Sequence, residues 1–230
     1  MILTWQQIPS PIVSEMLAGQ NCDGVVLDTE HGCFSKETLV SCIQVVTLMN
    51  KKCFVRLAEA SVSMIRTCLD SGTSGIIFST VESHIQAEKI MNMCLFPSQK
   101  KTGHRGMGLV RQNKWGQKSL KVDRPILVAQ IETQRGVTNI GTIASHGFDY
   151  YMIGPYDLTS SLGCEGDFEN SDYKRSVSAV ENAVGKHKMG VHIPSNVKDE
   201  IGKYDEYGLK ALGMDTTLLI EAHQEALSNA

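Results

Sequence analysis

The chain has 230 residues, of which 42% are hydrophobic and 20% are charged, and its formal net charge is -3. We expect residues 1–230 to form one domain, since α/β barrels commonly run as a single domain of about 250 residues. No apolar stretch approaches the roughly 20 residues that span a bilayer, so we do not expect membrane insertion. The chain also lacks the excess of basic residues that binding to nucleic acid requires, so nucleic acid is not an expected partner.

Short apolar runs alternate with longer amphipathic stretches, which is typical of a parallel α/β sheet. The runs predict eight strands at residues 2–5, 24–27, 53–56, 75–78, 126–130, 150–153, 189–192 and 211–213. Helices are predicted at residues 10–18, 36–49, 62–70, 84–95, 137–145, 172–186, 197–207 and 218–227. Eight β/α units favour a (β/α)8 TIM barrel over a doubly wound open sheet, because no Gly-x-Gly-x-x-Gly follows the first strand.

The long irregular region is residues 97–124, which is rich in Gly, Lys, Arg and Gln. A loop of this length in a compact domain is usually functional or mobile. Its His104-Arg105 pair is compatible with binding a phosphate or carboxylate, although two solvated charges are the simpler interpretation.

Carboxylates follow three of the predicted strands: Asp28 and Glu30 the second, Glu132 the fifth and Asp157 the sixth. In a (β/α)8 barrel the carboxyl ends of all strands meet at one mouth, where active sites form. Glu132 and Asp157 suit Mg²⁺ or Mn²⁺, which keep positions open for water or substrate oxygens. The alternative is that both only cap the helices that follow.

Two cationic or titratable side chains stand beside these acids. His31 is a candidate general base that a neighbouring carboxylate would orient, because its unperturbed pKa is about 6.5; the alternative is a structural histidine. Arg56 closes the third strand and is costly to bury unless it meets an anion. That anion is either the substrate or a barrel carboxylate such as Asp28 or Glu59.

Three further polar residues have weaker signals. Gln130 faces the same side of its strand as Glu132, so it either hydrogen-bonds a substrate oxygen or fills the barrel. His192 is either an additional ligand or substrate contact or part of the core. Asp70, on sequence alone, ends a helix.

The cysteines indicate a reducing compartment. They number seven and none is spaced Cys-x-x-Cys, and several lie in apolar segments where a thiol behaves as a small hydrophobe. The segment 1–5 lacks the basic and apolar regions of a secretion signal. We expect reduced thiols and a cytoplasmic location.

Seven motifs in order resemble the HpcH/HpaI family of metal-dependent, class II pyruvate aldolases, which includes 4-hydroxy-2-oxoheptanedioate aldolase. They are Asp28-Thr29-Glu30-His31, Val55-Arg56, Leu69-Asp70-Ser71-Gly72, Arg105-Gly106-Met107-Gly108, Gln130-Ile131-Glu132-Thr133, Gly154-Pro155-Tyr156-Asp157-Leu158-Thr159 and Gly213-Met214-Asp215-Thr216-Thr217-Leu218. Together they extend over most of the chain, so the resemblance is specific although each motif alone is weak.

The resemblance implies a role for each candidate residue. Glu132 and Asp157 would bind a divalent cation, namely Mg²⁺, Mn²⁺ or Co²⁺. His31 would be the base, Asp70 would raise its basicity, and Arg56 would stabilise the enolate. Gln130 and the backbone at Tyr156 and Asp157 would contact pyruvate.

The activity implied is cleavage of a 4-hydroxy-2-keto acid to pyruvate and an aldehyde. In the family, sites lie at subunit interfaces of a hexamer, so we expect a homo-oligomer. Two alternatives remain open: an enolate-condensing enzyme such as a citrate-forming synthase, and a non-catalytic barrel that binds a keto acid.

Overall fold

Eight parallel strands close into one barrel in the computed structural model, which describes residues 1–118 and 122–228. The strands are β1 Ile2–Gln6, β2 Gly24–Asp28, β3 Lys52–Leu57, β4 Gly75–Phe78, β5 Ile126–Ile131, β6 Tyr150–Ile153, β7 Met189–Ile193 and β8 Leu209–Met214. They are hydrogen-bonded in chain order, and β1 closes the circle by pairing Ile2 with Lys210 of β8. The predicted (β/α)8 TIM barrel is confirmed.

Helices alternate with these strands around the barrel. They are α1 Pro11–Ala18, α2 Lys36–Leu48, α3 Val62–Asp70, α4 His84–Cys94, α5 Gln134–Thr138, α6 Ile140–Ala144, α7 Pro155–Ser161, α8 Ser171–Val184, α9 Val197–Glu200 and α10 Asp215–Ser228. Three short 3-10 helices accompany them, at Arg111–Gly116, Lys186–Lys188 and Ile201–Tyr204.

The predicted and observed elements differ in three places. The predicted helix at 137–145 is two helices separated at Asn139, whose backbone is not helical. The predicted helix at 197–207 becomes α9 followed by a 3-10 turn. Sequence analysis missed α7, because Gly154 and Pro155 are typical of tight turns; Pro155 instead occupies the first helical turn, which needs no N–H.

The barrel interior turns from apolar to polar towards the carboxyl ends of the strands. Its lower part is filled by a cluster of Leu3, Trp5, Val26, Phe54, Ile77, Val128, Met152, Leu209 and Ala211. Alternate residues of a strand face the same side, so the next inward position after an apolar residue lies nearer the mouth. At those positions Asp28 follows Val26, Arg56 follows Phe54, and Gln130 follows Val128. The fold thereby places three polar side chains at the top of the interior.

The long loop contains a buried charge that the sequence analysis interpreted wrongly. Arg105 is only 5% exposed, and its guanidinium lies 4.6 Å from the centre of the Phe96 ring. Its Nη2 donates to Gln112 at 2.6 Å and lies 3.3 Å from Asp70. Arg105 is therefore a packed structural group, because the loop folds back on α3 and α4.

Several expectations concern the chain as a whole. All seven cysteines are free thiols. Among the described residues, no helix has both the length and the apolar character needed to cross a bilayer. Residues 119–121 of the predicted loop and residues 229–230 of the predicted domain lie outside the described residues, and the single-domain boundary stays a prediction.

Candidate active site

A buried ion pair between Asp28 and Arg56 anchors the mouth of the barrel. Arg56 Nε donates to Asp28 Oδ1 at 2.9 Å and Arg56 Nη2 to Oδ2 at 2.6 Å, which is the two-pronged geometry that guanidinium and carboxylate groups favour. Trp5 Nε1 also donates to Oδ2, at 3.1 Å. Burial alone would raise the pKa of Asp28, but these hydrogen bonds and the charge of Arg56 hold it below the usual value. Asp28 is therefore ionised and paired.

A second carboxylate completes the surroundings of Arg56. Arg56 Nη1 lies 2.9 Å from Glu30 Oε2, and Ser79 Oγ donates to the same oxygen at 2.6 Å. Sequence analysis offered Asp28 or Glu59 as structural partners; the structure shows Asp28 and adds Glu30. Two guanidinium N–H groups donate to Asp28, and Nη1 lies at ion-pair distance from Glu30, so among the described residues the guanidinium keeps N–H groups for another partner.

His31 lies at the mouth on the loop after β2. Asp28 Oδ1 accepts the backbone N–H of Glu30 at 3.1 Å and of His31 at 3.3 Å. The predicted orienting carboxylate thus acts on the main chain of this loop and not on the imidazole. The His31 side chain is exposed and lines a cavity together with Arg56.

Glu132 is a buried carboxylate, 3% exposed, directly after β5. Its Oε1 accepts both the backbone N–H and the hydroxyl of Thr80 at 2.6 Å, and Gln130 Nε2 donates to Oε2 at 2.5 Å. Burial raises the pKa of Glu132, and the charges of Glu30 and Asp157 raise it further against the opposing Thr80 hydrogen bond. Thr80 adopts a left-handed backbone (φ 51°), which no sequence signal marked.

Gly154 provides the space beside Glu132. A Cβ at this position would lie 2.3 Å from Glu132 Oε2 and 2.8 Å from Gln130 Nε2, well inside any tolerable contact. Gly154 directly precedes α7, which carries Asp157 in its first turn. The glycine therefore allows α7 to start close to the buried acid.

A cavity of about 300 Å³ opens at the mouth above these groups. It is lined by Trp5, Gln7, His31, Arg56, Gln130, Met152, Ile153, Gly154, Pro155, Tyr156, Asp157, His192, Pro194 and Met214. Gln130, one of these lining residues, donates a hydrogen bond to Glu132. Of the roles that the resemblance implies, those of His31, Arg56, Gln130, Tyr156 and Asp157 fall on lining residues, and Glu132 contacts the lining through Gln130, whereas Asp70 does not line the cavity.

Trp5 and His192 form part of the cavity lining. Their rings stack with centroids 4.1 Å apart and an angle of 13° between planes. The guanidinium carbon of Arg56 lies 5.0 Å from the centre of the Trp5 ring, within the range of a cation–π contact. Burial, reinforced by the charge of Arg56, lowers the pKa of His192 to about 3, so its ring is neutral. Sequence analysis flagged His192 but assigned no role to Trp5, which it only included in the first predicted strand.

Asp70 lies apart from His31. It is the last residue of α3, a helix that runs from the mouth back towards the amino ends of the strands. Asp70 Oδ1 lies 3.3 Å from Arg105 Nη2 and lines a separate groove of about 750 Å³ along α3. Its action on His31 stays a prediction, since no contact between the two side chains is present in the described part of the chain.

The residues around Glu132 fit the divalent cation that the family resemblance implies. No group of three His, Cys, Asp or Glu side chains within residues 1–118 and 122–228 forms a closed metal site. Two carboxylates and open positions are nevertheless what Mg²⁺ takes when water and substrate complete its shell. Gln130 Oε1 is buried without a hydrogen-bond partner among the described residues. A cation would relieve the crowding of negative charge that raises the pKa of Glu132.

Comparison with known proteins shows which family the chain is similar to. The model of the family described as HpcH/HpaI aldolase/citrate lyase matches residues 2–222. A hydroxypyruvate/pyruvate aldolase of Delftia acidovorans is 26% identical, over 98% of this chain and 85% of its own. A 4-hydroxy-2-oxo-heptane-1,7-dioate aldolase of Shigella flexneri is 29% identical, over 97% of this chain and 86% of its own.

Solved structures agree on the fold. An HpcH/HpaI aldolase/citrate lyase family protein from Burkholderia cenocepacia superimposes with a TM-score of 0.90 at 24% identity, covering 100% of this chain and 93% of that one. The citrate synthase SbnG gives a TM-score of 0.84 at 24% identity, covering 99% and 91%. Because the family model matches residues 2–222, nearly the whole chain, the chain belongs to the HpcH/HpaI aldolase/citrate lyase family.

Proposed function

We propose that the protein is a divalent-metal-dependent aldolase that cleaves a 4-hydroxy-2-keto acid to pyruvate and an aldehyde. The observation that carries this proposal is the buried Glu132, crowded by the acidic side chains of Glu30 and Asp157, at the wall of a cavity that also holds Arg56 and His31. The relatives that bear aldolase names support the same reaction class.

Arg56 would bind and stabilise the enolate. Cleavage of the C3–C4 bond leaves its electron pair on C3 of the pyruvate part, and the resulting enolate oxygen needs positive charge nearby. The N–H groups that Arg56 does not donate to Asp28 are available for an oxygen of the keto acid. A cation held by Glu132 and Asp157 would supply Lewis-acid chemistry at the same oxygen.

His31 would move the proton. As the C3–C4 bond breaks, the C4 hydroxyl loses its proton to a base and becomes the aldehyde carbonyl; protonation of C3 then gives pyruvate. A positioned imidazole contributes about 10² to 10⁴ in rate in such a role. His31 lines the same cavity as Gln130, and Asp28 fixes its loop by accepting a main-chain hydrogen bond.

We further propose a homo-oligomer. Helix α10 exposes Leu218, Leu219, Ile220 and Leu227, and the groove along α3 exposes Leu109 and Trp115. Apolar patches of this kind typically mark protein–protein contacts. A second copy would also bring an Asp70 to a neighbouring mouth, which one chain by itself does not do.

The oligomer is tested by the mass in solution. We expect a species larger than one chain in light scattering coupled to size exclusion. Replacement of Trp115 by Glu should shift the mass towards the monomer, whereas the same replacement of exposed Lys188 on the amino-end face should not. A monomeric mass for the wild type would contradict the proposal.

Loss of the cation or of Glu132 should abolish catalysis. We expect a chelator, or Glu132→Ala, to reduce pyruvate release from 4-hydroxy-2-keto acids by at least about 10³, because the enolate loses its electrostatic stabilisation. The exposed Glu15→Ala is the matched control and should keep full activity. Pyruvate release that survives chelation would contradict the mechanism.

Two further measurements separate the alternatives. A citrate-forming synthase would consume an acyl-CoA thioester together with oxaloacetate, which an aldolase ignores. A non-catalytic barrel would bind Mn²⁺ and pyruvate without exchanging the methyl protons of pyruvate into D₂O.

The raised pKa of Glu132 predicts that its ionised carboxylate lowers the stability of the metal-free fold. Because burial raises this pKa above the ordinary 4.5, the ionised carboxylate destabilises the metal-free fold at neutral pH, and the penalty disappears as the pH falls below the ordinary value. Glu132→Gln removes the charge, and a turned Gln130 amide offers its unpaired Oε1 to the new N–H. We expect Glu132→Gln to raise the Tm in EDTA at pH 7, with the gain vanishing near pH 4. A lower Tm at every pH would show this account of Glu132 to be wrong.

Gly154→Ala should disable cation binding while leaving the barrel folded. The added Cβ would displace the Glu132 carboxylate, whereas the matched helical change Gly141→Ala meets no atom within 4 Å. We expect calorimetric Mn²⁺ titration to show at least about tenfold weaker binding for Gly154→Ala and wild-type binding for Gly141→Ala. Unchanged Mn²⁺ affinity in Gly154→Ala would place the cation elsewhere.

A further inference from the structure

Thr80 holds the buried Glu132 through two hydrogen bonds to a single carboxylate oxygen. The backbone N–H and the hydroxyl of Thr80 each lie 2.6 Å from Glu132 Oε1. A carboxylate oxygen has about two lone-pair sites, so these two donors occupy both sites of Oε1. Gln130 Nε2 donates to Oε2 at 2.5 Å, and the second site of Oε2 has no donor among the described residues. Oε2 is therefore the oxygen of Glu132 that can accept a cation.

The backbone of Thr80 is strained, which points to a function at this position. Its φ of 51° lies in the left-handed region, where a β-branched residue is a rare and costly outlier. Strained residues of this kind persist only where their surroundings fix them, and they cluster at functional sites. In Thr80 this conformation turns the N–H and the hydroxyl of one residue towards the same oxygen of Glu132.

Neighbouring hydrogen bonds hold Thr80 in this conformation. Gln86 Nε2 donates to the carbonyl of Thr80 at 2.9 Å, and Gln86 Oε1 accepts the backbone N–H of Glu82 at 2.9 Å. The N–H of Val81 donates to the carbonyl of Gln130 at 3.0 Å, which ties the segment after β4 to the strand that precedes Glu132. Thr80 is therefore fixed on both sides, and its two donors stay directed at Oε1.

The residue before Thr80 holds the neighbouring acid against Arg56. Ser79 Oγ donates to Glu30 Oε2 at 2.6 Å, and the same oxygen lies 2.9 Å from Arg56 Nη1. Two consecutive hydroxyls after β4 thus contact two different carboxylates of the mouth. One hydroxyl supports the pairing of Glu30 with arginine, and the other leaves a single oxygen of Glu132 for a cation.

The number of oxygens that Glu132 offers determines which cation fits. Ca²⁺ takes about six to eight oxygen ligands in a flexible shell and accepts carboxylates through both oxygens, whereas Mg²⁺ is smaller and requires a nearly octahedral shell. Mn²⁺ shares the octahedral preference for oxygen ligands. A carboxylate that presents one oxygen suits the octahedral shell and denies Ca²⁺ an additional ligand.

We propose that Thr80 is a positioning residue that restricts Glu132 to ligation through one oxygen and thereby makes the site favour Mg²⁺ or Mn²⁺ over Ca²⁺. This inference rests on the proposed cation site at Glu132 and adds the residue that selects the ion. Thr80 acts through Glu132 and does not itself bind the cation.

The test measures the preference between two ions in matched variants. Electron paramagnetic resonance reports free Mn²⁺, and added Ca²⁺ displaces the bound Mn²⁺, so one pair of titrations gives both dissociation constants. The variants are Thr80→Ser, which keeps the hydroxyl, and Thr80→Val and Thr80→Gly, which lose it. Thr73→Val is the control, because Thr73 is buried before β4 and its hydroxyl donates to the carbonyl of Cys68 at 2.6 Å. Circular dichroism confirms that each variant is folded.

We expect the ratio of the Ca²⁺ to the Mn²⁺ dissociation constant to fall about tenfold in Thr80→Val and in Thr80→Gly, the size of one hydrogen bond to a charged group. The freed lone pair of Oε1 then lets Ca²⁺ use both oxygens of Glu132. Thr80→Ser should keep the ratio within about threefold of the wild type, and Thr73→Val should match the wild type. A purely structural role of Thr80 would weaken the binding of both ions equally and leave the ratio unchanged.

An unchanged ratio in the hydroxyl-free variants, or an equal fall in Thr80→Ser, overturns the role of Thr80. If Thr80→Val fails to fold, Thr80→Gly decides the outcome, because glycine adopts the left-handed backbone without strain. The proposed cation site stands separately if the wild type binds Mn²⁺ and Glu132→Ala does not. If the wild type binds no Mn²⁺, both this inference and the proposed function are wrong.

Discussion

The mouth of this barrel depends on the ion pair between Arg56 and Asp28, which is buried among apolar strands. A guanidinium at this depth is tolerated because Asp28 accepts two of its N–H groups and the Glu30 carboxylate lies 2.9 Å from Nη1. Removing one partner of a buried pair leaves an uncompensated charge and typically costs about 3 to 5 kcal/mol. The Asp28 carboxylate also accepts hydrogen bonds from the indole of Trp5 and from the main chain of the loop that carries His31. One carboxylate therefore positions Arg56, Trp5 and the loop of the candidate base.

Glu132 lies in the opposite electrostatic environment to Asp28. Where Asp28 is neutralised by Arg56, Glu132 is buried with hydrogen bonds from neutral groups only, and neighbouring carboxylates raise its pKa. Two acids in one mouth are thus driven apart in pKa, a pattern that often identifies functional sites. In our proposal Asp28 positions the enolate-binding Arg56, and Glu132 binds a divalent cation.

Much of this arrangement was predictable from sequence because strand ends are easy to locate. Apolar runs placed all eight strands, and barrel geometry then brought Glu132, Asp157, His31 and Arg56 to one mouth. Local patterns did not reveal contacts made across the barrel. Trp5 was indistinguishable from a core aromatic, and the left-handed Thr80 that binds Glu132 is an ordinary threonine in the sequence.

Two other errors have physical causes. Gly154 and Pro155 predicted a turn where a helix starts, because the same residues suit both, and only the close approach to Glu132 shows why a glycine is needed. Arg105 was taken for a solvated charge, since nothing local shows that Phe96 and Asp70 enclose it. The action of Asp70 on His31 stays a prediction, because Asp70 lies beside Arg105 and outside the cavity that His31 lines.

The central claim is that Glu132 and Asp157 hold one cation against a keto acid that Arg56 also contacts. Anomalous diffraction from crystals soaked with Mn²⁺ and pyruvate tests it most directly. We expect a single strong peak about 2.0 to 2.2 Å from carboxylate oxygens of both residues, with pyruvate oxygens completing the shell. A peak elsewhere in the barrel, or pyruvate bound away from Arg56, would contradict the account.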